Sequence, residues 1–122
     1  MLLRRTYGFE ASHVLPRHPG RCRNLHGHSY RFTVEVEGEI DPEQGMVIDF
    51  GELDAVVTER VLKRLDHAHL NDVLENPTAE WIAVHLWREL RPALPGLRAV
   101  ELYETEGAAV VYRGELEGGA DR

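Results

Sequence analysis

The sequence has a single cysteine, a single lysine and no long hydrophobic run, and these scarcities exclude several classes of protein. One cysteine, Cys22, cannot form a disulfide within the chain, so we expect a protein of a reducing, cytoplasmic compartment. No apolar stretch approaches the about 20 residues that cross a bilayer, and the N-terminus lacks the apolar stretch of a secretory signal. We therefore expect neither a membrane protein nor a secreted one.

Positive charge is scarce in the chain as a whole but not in its N-terminal segment. The formal net charge is −7, which argues against a general binder of nucleic acid or of anionic membranes. Residues 1–31 nevertheless contain six arginines, one acidic residue and four of the seven histidines. Chance would account for this uneven distribution of charge if the acidic residues of the rest of the chain simply form a solvated surface. The alternative is that the N-terminal segment handles an anionic ligand.

The order of the predicted elements indicates an α+β domain. A chain of 122 residues suffices for one domain with a core, which we place at residues 1–114, and we expect residues 115–122 to fray. Helical spacing of apolar residues predicts helices near residues 50–65 and 79–91. Alternation of apolar and polar residues predicts strands over residues 2–10, 30–37, 98–105 and 108–113. The ββααββ order predicts a four-stranded antiparallel sheet with two helices on one face.

Three histidines carry the strongest chemical signal. If His26-Gly27-His28 enters the second strand, the two histidines are residues i and i+2 and point to the same face. If the first two strands pair antiparallel through the loop between them, His13 supplies a third imidazole. Three neutral imidazoles favour zinc over magnesium or calcium and leave a fourth position open for substrate. The motif alone does not exclude an accidental pair of surface histidines.

Five further residues carry groups suited to proton transfer or to ligand binding. Cys22 lies in an arginine-rich loop and could be a metal ligand, a base, a nucleophile or an ordinary packed thiol. Asp66-His67 follows the first helix, where it forms either a proton-transfer pair or a favourable helix cap. Glu104-Thr105 ends a strand, and its carboxylate could accept two N–H groups from a guanidine-like ring edge or simply face solvent.

Six short blocks resemble, in their order, the 6-pyruvoyl-tetrahydropterin synthase family. They are FEASH at 9–13, CRNLHGHSY at 22–30, GMVIDF at 45–50, LDHAHLND at 65–72, NPTAE at 76–80 and YET at 103–105. Together they cover roughly residues 4–114. The resemblance implies the tunnelling fold, in which three subunits close one β-barrel and two trimers stack as a hexamer. It also implies that the active sites lie between subunits.

The same resemblance implies a role for each candidate residue. The family's zinc ligands match His13, His26 and His28. Its catalytic cysteine matches Cys22, and its proton-relay pair matches Asp66 and His67. The glutamate that anchors the pterin ring matches Glu104, and we expect Thr105 beside it to bind substrate as well. The implied cofactor is therefore Zn²⁺, and the implied ligand is a dihydropterin triphosphate.

A reaction is implied as well. Zinc acidifies side-chain protons of 7,8-dihydroneopterin triphosphate, Cys22 and His67 shuttle them, and triphosphate leaves. Three residues separate Cys22 from His26, as in the queuosine-pathway branch, whose 6-carboxy-tetrahydropterin synthases also release acetaldehyde. We therefore expect this carbon–carbon lyase activity, with 6-pyruvoyl-tetrahydropterin synthase as the alternative. A helix-poor oxygenase or hydrolase with an H-x-H motif, or a non-catalytic pterin- or metal-binding protein, would share parts of the pattern.

Overall fold

Five strands form one mixed sheet within the part of the chain that the structure describes. The computed structural model describes residues 1–118. The strands are β1 (Leu2–His13), β2 (His26–Glu37), β3 (Ala68–His69), β4 (Leu97–Thr105) and β5 (Ala108–Tyr112). Their order across the sheet is β3-β1-β2-β4-β5. Neighbouring strands are antiparallel except β3, which runs parallel to β1.

The fifth strand corrects the sequence prediction. The α+β class is confirmed, but the expectation of four strands, all antiparallel, is wrong because the two-residue β3 joins the outer edge of β1. The backbone N–H of His67 donates to the carbonyl of Glu10 at 2.6 Å, and the backbone N–H of Glu10 donates to Asp66 Oδ1 at 3.0 Å. These two bonds bring the chain alongside β1 without any alternating pattern in the sequence.

Two helical segments pack against one face of the sheet. The first consists of α1 (Phe50–Val57), a π-helical turn (Thr58–Leu62) and α2 (Lys63–Leu65), and the second is α3 (Ala79–Leu90). Each begins at a side-chain cap, because Asp49 accepts from the backbone N–H of Glu52 and Thr78 from that of Trp81. Both predicted helices are confirmed. No helix within residues 1–118 is long and apolar enough to cross a membrane.

The core lies between the sheet and these helices. Alternation along β2 places Tyr30, Phe32 and Val34 on the covered face, where all three are buried. Phe9 of β1 stacks on Tyr30 with a distance of 4.9 Å between the ring centroids. Leu86 of α3 belongs to the same buried cluster. Because Tyr30 follows His28 by two residues, the core and the histidines share one face of β2.

The opposite face of the sheet, here called the open face, is polar. The hydroxyls of Thr6 and Thr33 lie 2.9 Å apart across β1 and β2. On the same face, Arg4 Nε lies 2.9 Å from Glu35 Oε2. Polar side chains on the face away from the helices are typical of an antiparallel sheet with one covered side.

The last described residues return to α3. The carboxylate of Glu117 accepts hydrogen bonds from Arg88 Nε and from the Tyr112 hydroxyl. We expected fraying over residues 115–122, and residues 119–122 of that segment lie outside the described part of the chain.

Candidate functional site

Three histidines and one glutamate converge at one end of the sheet. The antiparallel register of β1 and β2 places His13 opposite His26, and His28 follows on the same face of β2. Glu104 approaches them from the end of β4. One ligand atom from each of the four side chains lies within 4.8 Å of the others. We call these four residues the histidine–glutamate group.

Backbone carbonyls fix the orientation of two of the imidazoles. His13 Nδ1 lies 2.9 Å from the carbonyl oxygen of Pro77, and His26 Nδ1 lies 2.7 Å from that of Asn24. Because a carbonyl only accepts, each Nδ1 carries the hydrogen and each Nε2 exposes its lone pair in the neutral ring. The two Nε2 atoms are 2.9 Å apart. Two lone pairs this close repel each other unless a proton or a metal ion lies between them.

His28 and Glu104 complete the donor set. His28 Nε2 is buried and has no hydrogen-bond partner among the described residues, although Glu104 Oε1 approaches it to 3.1 Å. The same oxygen lies 4.0 Å from His13 Nε2. A buried polar nitrogen without a partner is costly in a folded protein, and a metal ion removes that cost. Three imidazole nitrogens beside a carboxylate suit Zn²⁺, so the residues present fit the implied metal.

Burial keeps His13 in the form that binds a metal. Its side chain is fully buried, and this desolvation lowers the pKa of His13 below its usual value of 6.5. The Pro77 carbonyl and the Glu104 carboxylate raise this pKa, but each effect is smaller than that of desolvation. At neutral pH the ring is therefore uncharged, and Nε2 is available as a ligand.

The Asp66-His67 pair lies against the outer edge of β1. His67 Nδ1 is 3.1 Å from Asp66 Oδ1, which also accepts the backbone N–H of Glu10. The bond from Glu10 is the main reason that the pKa of the Asp66 carboxyl is below its usual value of 3.8. His67 has a φ of 61°, an uncommon backbone angle for a residue other than glycine. Asp66 thus holds both the tight turn and the imidazole.

One shallow cleft contains members of both groups. His28 and His67 line it together, and its volume is about 450 Å³. Glu10, Ser12 and Ser29 form its polar wall. The Ser29 hydroxyl donates to Glu10 Oε1 at 2.6 Å. Alternation along β2 places the His28 imidazole on the covered face and Ser29 on the open face, so the cleft and the imidazoles lie on different faces of this strand.

Cys22 and Thr105 are not part of the histidine–glutamate group. Cys22 is a free, half-buried thiol in a 3₁₀ turn, Arg21–Arg23, and its backbone carbonyl accepts from the N–H of Leu15. Thr105 is exposed at the end of β4, where it pairs with Ala108. Within residues 1–118, the candidate residues are thus divided between the histidine–glutamate group, the Asp66-His67 pair and these two positions.

Sequence reasoning did not anticipate where Glu104 lies. The family motif implied that Glu104 anchors the pterin ring. The fold also places the Glu104 carboxylate beside the three imidazoles. This position depends on the pairing of β2 with β4, in which Tyr103 faces Arg31. No local pattern in either strand encodes that register. Glu10 and Ser29 also went unassigned, although both lie within the blocks that carry the family resemblance.

Comparison with proteins of known sequence identifies close relatives. Residues 2–115 match the family described as 6-pyruvoyl tetrahydropterin synthase. The chain is 43% identical over 118 residues to the 6-carboxy-5,6,7,8-tetrahydropterin synthase of Synechocystis sp., a match that covers 91% of this chain and 92% of the relative. It is 40% identical over 107 residues to the 6-pyruvoyl tetrahydrobiopterin synthase of Homo sapiens, covering 79% of this chain and 72% of the human protein.

Comparison with solved structures agrees. The 6-pyruvoyl tetrahydropterin synthase of Caenorhabditis elegans superposes with a TM-score of 0.86 at 28% sequence identity. The match covers 94% of this chain and 96% of the nematode protein. Sequence family, close relatives and three-dimensional fold all lead to one assignment: the chain belongs to the 6-pyruvoyl tetrahydropterin synthase family.

Proposed function

We propose that this protein converts 7,8-dihydroneopterin triphosphate and water into 6-carboxy-5,6,7,8-tetrahydropterin, acetaldehyde and triphosphate, as a lyase of queuosine or related deazapurine biosynthesis. The observation that carries the proposal is the convergence of His13, His26 and His28, whose Nε2 atoms need a cation. The Synechocystis relative, at 43% identity over nearly the whole of both chains, bears the name of this activity. The three residues between Cys22 and His26 support the same branch.

We assign Zn²⁺ to the histidine–glutamate group, with His13, His26 and His28 as its ligands. When bound, zinc supplies Lewis-acid polarisation of oxygen atoms on the substrate side chain. Pro77 and Asn24 hold two of the imidazoles by their Nδ1 atoms, so Nε2 is oriented before the metal arrives.

Glu104 is proposed to anchor the pterin beside the metal ligands. Its side chain is 23% exposed, which leaves part of the carboxylate accessible to the N–H groups of a ring edge. Thr105 follows it on the chain and is exposed, as a residue that contacts a ligand must be before binding. A carboxylate that accepts two parallel N–H groups fixes the orientation of a planar ring.

We assign the transfer of protons to and from the substrate to Cys22 and to the Asp66-His67 pair. His67 donates from Nδ1 to Asp66, which leaves Nε2 free to take a proton from substrate or to return one. The His67 side chain is 79% exposed, so it can reach a ligand outside its own chain. The thiol of Cys22 is proposed as the second group that exchanges a proton with the substrate.

We further propose that the active unit is a hexamer of two stacked trimers with sites between subunits. The isolated chain supports this in two ways. Its predicted site residues are divided between separate surfaces, and its sheet ends in β5, an outer strand that bears the exposed side chain of Val111. Assembly would bring groups from different subunits into one site.

Product analysis with 7,8-dihydroneopterin triphosphate tests the proposed reaction. We expect the zinc-loaded protein to release acetaldehyde and triphosphate in equal amounts and to accumulate the 6-carboxy pterin. The second candidate is 6-pyruvoyl tetrahydropterin synthase activity, which the match to the human protein at 40% identity favours. A pyruvoyl product formed without acetaldehyde would establish that candidate, and an oligomer with bound zinc but no turnover would contradict both.

A further inference from the structure

A second cavity, of about 830 Å³, lies at the opposite end of the sheet from the histidine–glutamate group. It is bounded by Glu37, the last residue of β2, and Leu97, the first residue of β4. His26 and Glu104 lie at the other ends of these same strands. A strand of 12 residues, such as β2, spans roughly 35 Å. The cavity is therefore separate from the candidate active site.

Positive charge is concentrated in this cavity, although the chain has a net charge of −7. The arginines that line it are Arg88, Arg91, Arg98 and Arg113. Arg88 Nε bonds both oxygens of Glu117, at 3.1 and 3.2 Å, and Arg98 Nε lies 3.2 Å from Glu37 Oε1. Within residues 1–118, the guanidinium groups of Arg91 and Arg113 have no carboxylate partner. Among the described residues that line the cavity, four guanidinium groups thus face two carboxylates.

Helix capping explains only half of this cluster. Cationic side chains at the C-terminus of a helix are stabilising, which accounts for Arg88 and Arg91 at the end of α3. Arg98 comes from β4, and Arg113 follows β5, so neither belongs to a helix. Like charges brought together from separate elements repel one another, and an anion bound between them removes that repulsion.

The shape of the cavity favours a preformed site for a compact anion. Pro92, Pro95 and Gly96 line it, and a Cβ added at Gly96 would stand 2.3 Å from the carbonyl oxygen of Glu37, so the backbone is closely packed there. Trp87 is only 7% exposed and offers little surface for stacking a base. The volume suits a ligand up to the size of a nucleotide. Guanidinium groups bind phosphate oxygens in a bidentate manner, so charge, and not stacking, selects the ligand.

We propose that this cavity is a binding site for an oligophosphate anion, held by Arg91 and Arg113 with Arg88 and Arg98 at its sides. Two guanidinium groups without carboxylate partners match the several negative charges of a di- or triphosphate better than those of a single orthophosphate. Free inorganic triphosphate and the phosphate chain of a nucleotide share this chemistry. The site does not depend on the proposed reaction, because none of its residues belongs to the histidine–glutamate group or to the cleft.

Titration calorimetry of the zinc-loaded protein with inorganic triphosphate, ATP and orthophosphate tests this site. We expect triphosphate and ATP to bind, and orthophosphate to bind much more weakly. In the double variant Arg91→Gln/Arg113→Gln, the affinity for triphosphate falls about tenfold or more, because two charge-assisted contacts are lost. Arg60→Gln changes an exposed arginine of the π-helical turn and serves as the control for general charge, with unchanged affinity expected.

A further variant separates this site from the candidate active site. Arg21→Gln/Arg23→Gln removes two arginines beside Cys22, where a triphosphate substrate would approach. Binding that survives in this variant and is lost in Arg91→Gln/Arg113→Gln supports the proposal. Binding with the reverse dependence would overturn it, and so would orthophosphate binding as tightly as triphosphate or the absence of any triphosphate binding to the wild-type protein.

Discussion

Individual side chains of the histidine–glutamate group are oriented by contacts that need no metal. His13 is held by the Pro77 carbonyl and His26 by the Asn24 carbonyl, so their lone pairs already point toward each other. A ligand positioned in advance loses less freedom when the metal binds. Cys22 lies outside this group, so the metal and the thiol can be tested one at a time.

Replacing His26 and Cys22 with alanine should have different consequences. Wild-type protein should carry about one zinc per chain, and His26→Ala should lose both the metal and turnover because one of three ligands is gone. Cys22→Ala should keep its zinc and its bound pterin while turnover falls about 100-fold or more, because only a proton-transfer group is lost. Metal analysis, pterin binding and product formation are measured on each variant. A fully active Cys22→Ala, or an active protein without metal, would refute these roles.

Asp66 links acid stability to the turn that holds His67. The Glu10 backbone N–H and then the His67 imidazole lower the pKa of Asp66, so the ionised carboxylate stabilises the fold. This contribution is complete above the ordinary value of 3.8 and is lost as the pH falls through the lower, folded-state pKa. Thermal melting of Asp66→Asn should therefore lie below that of wild type at pH 6 and approach it at about pH 3.

Asp72→Asn provides the matched control for Asp66→Asn. Asp72 is exposed, and its replacement should leave the same melting difference from wild type at both pH values. Asp54, which accepts from Arg5 and Tyr7, and Glu59, which pairs with Lys63, also have lowered pKa values, and they are intact in both variants. A constant difference between wild type and Asp66→Asn across this pH range would show that Asp66 does not couple stability to protonation.

At the scale of elements, long regular segments could be predicted from the sequence and short paired ones could not. Both helices combine an apolar period with a capping residue, so two independent signals agree. β1 and β2 extend three or four residues beyond their predicted ends, because His, Ser and Gly there break the apolar alternation and still pair across the sheet. β3 depends on the backbone of Glu10, and Glu104 on the register of β4, and neither contact has a local sequence pattern.

The N-cap of α3 should matter to the metal as well as to the helix. Thr78 caps α3, and the preceding residue, Pro77, holds His13, so fraying at this cap should disturb a proposed zinc ligand. Thr78→Ala should cost about 1 kcal/mol of stability and about tenfold in zinc affinity. Asp49→Ala removes the cap of α1 at a similar cost in stability but should leave zinc affinity unchanged. Equal zinc affinity in the two variants would show that the cap does not support the metal site.

Over the whole molecule, the two proposed sites lie at opposite ends of one sheet. The histidine–glutamate group and the loop that joins β1 to β2, with its three arginines, lie at one end. The four arginines around Glu37 lie at the other. The net charge of −7 comes from the acidic residues in the rest of the chain. It therefore does not reflect the local charge at either end of the sheet. Between the two ends lie the polar open face and the outer strand β5, which the isolated chain leaves exposed.

The outer strand β5 provides a test of the proposed assembly. Val111 lies on this strand and is 40% exposed, and a lysine on an edge strand opposes pairing with another chain. Val111→Lys should therefore shift the protein from a hexamer toward the 13.9 kDa single chain in light scattering. Zinc should remain near one per chain, because its proposed ligands all belong to one chain. Turnover should fall about 100-fold or more, because the proposed site would lose the groups of the neighbouring subunit.

Val111→Thr keeps the size and branching of the side chain without adding charge, so it should stay assembled and active and thereby controls for the loss of valine itself. Circular dichroism should show the helices intact in both variants, since α1 and α3 pack on the other face of the sheet. A hexameric, active Val111→Lys would exclude the β5 edge from the interface. A dispersed variant with full activity would place the entire site within one chain, in disagreement with the division of its residues between separate surfaces.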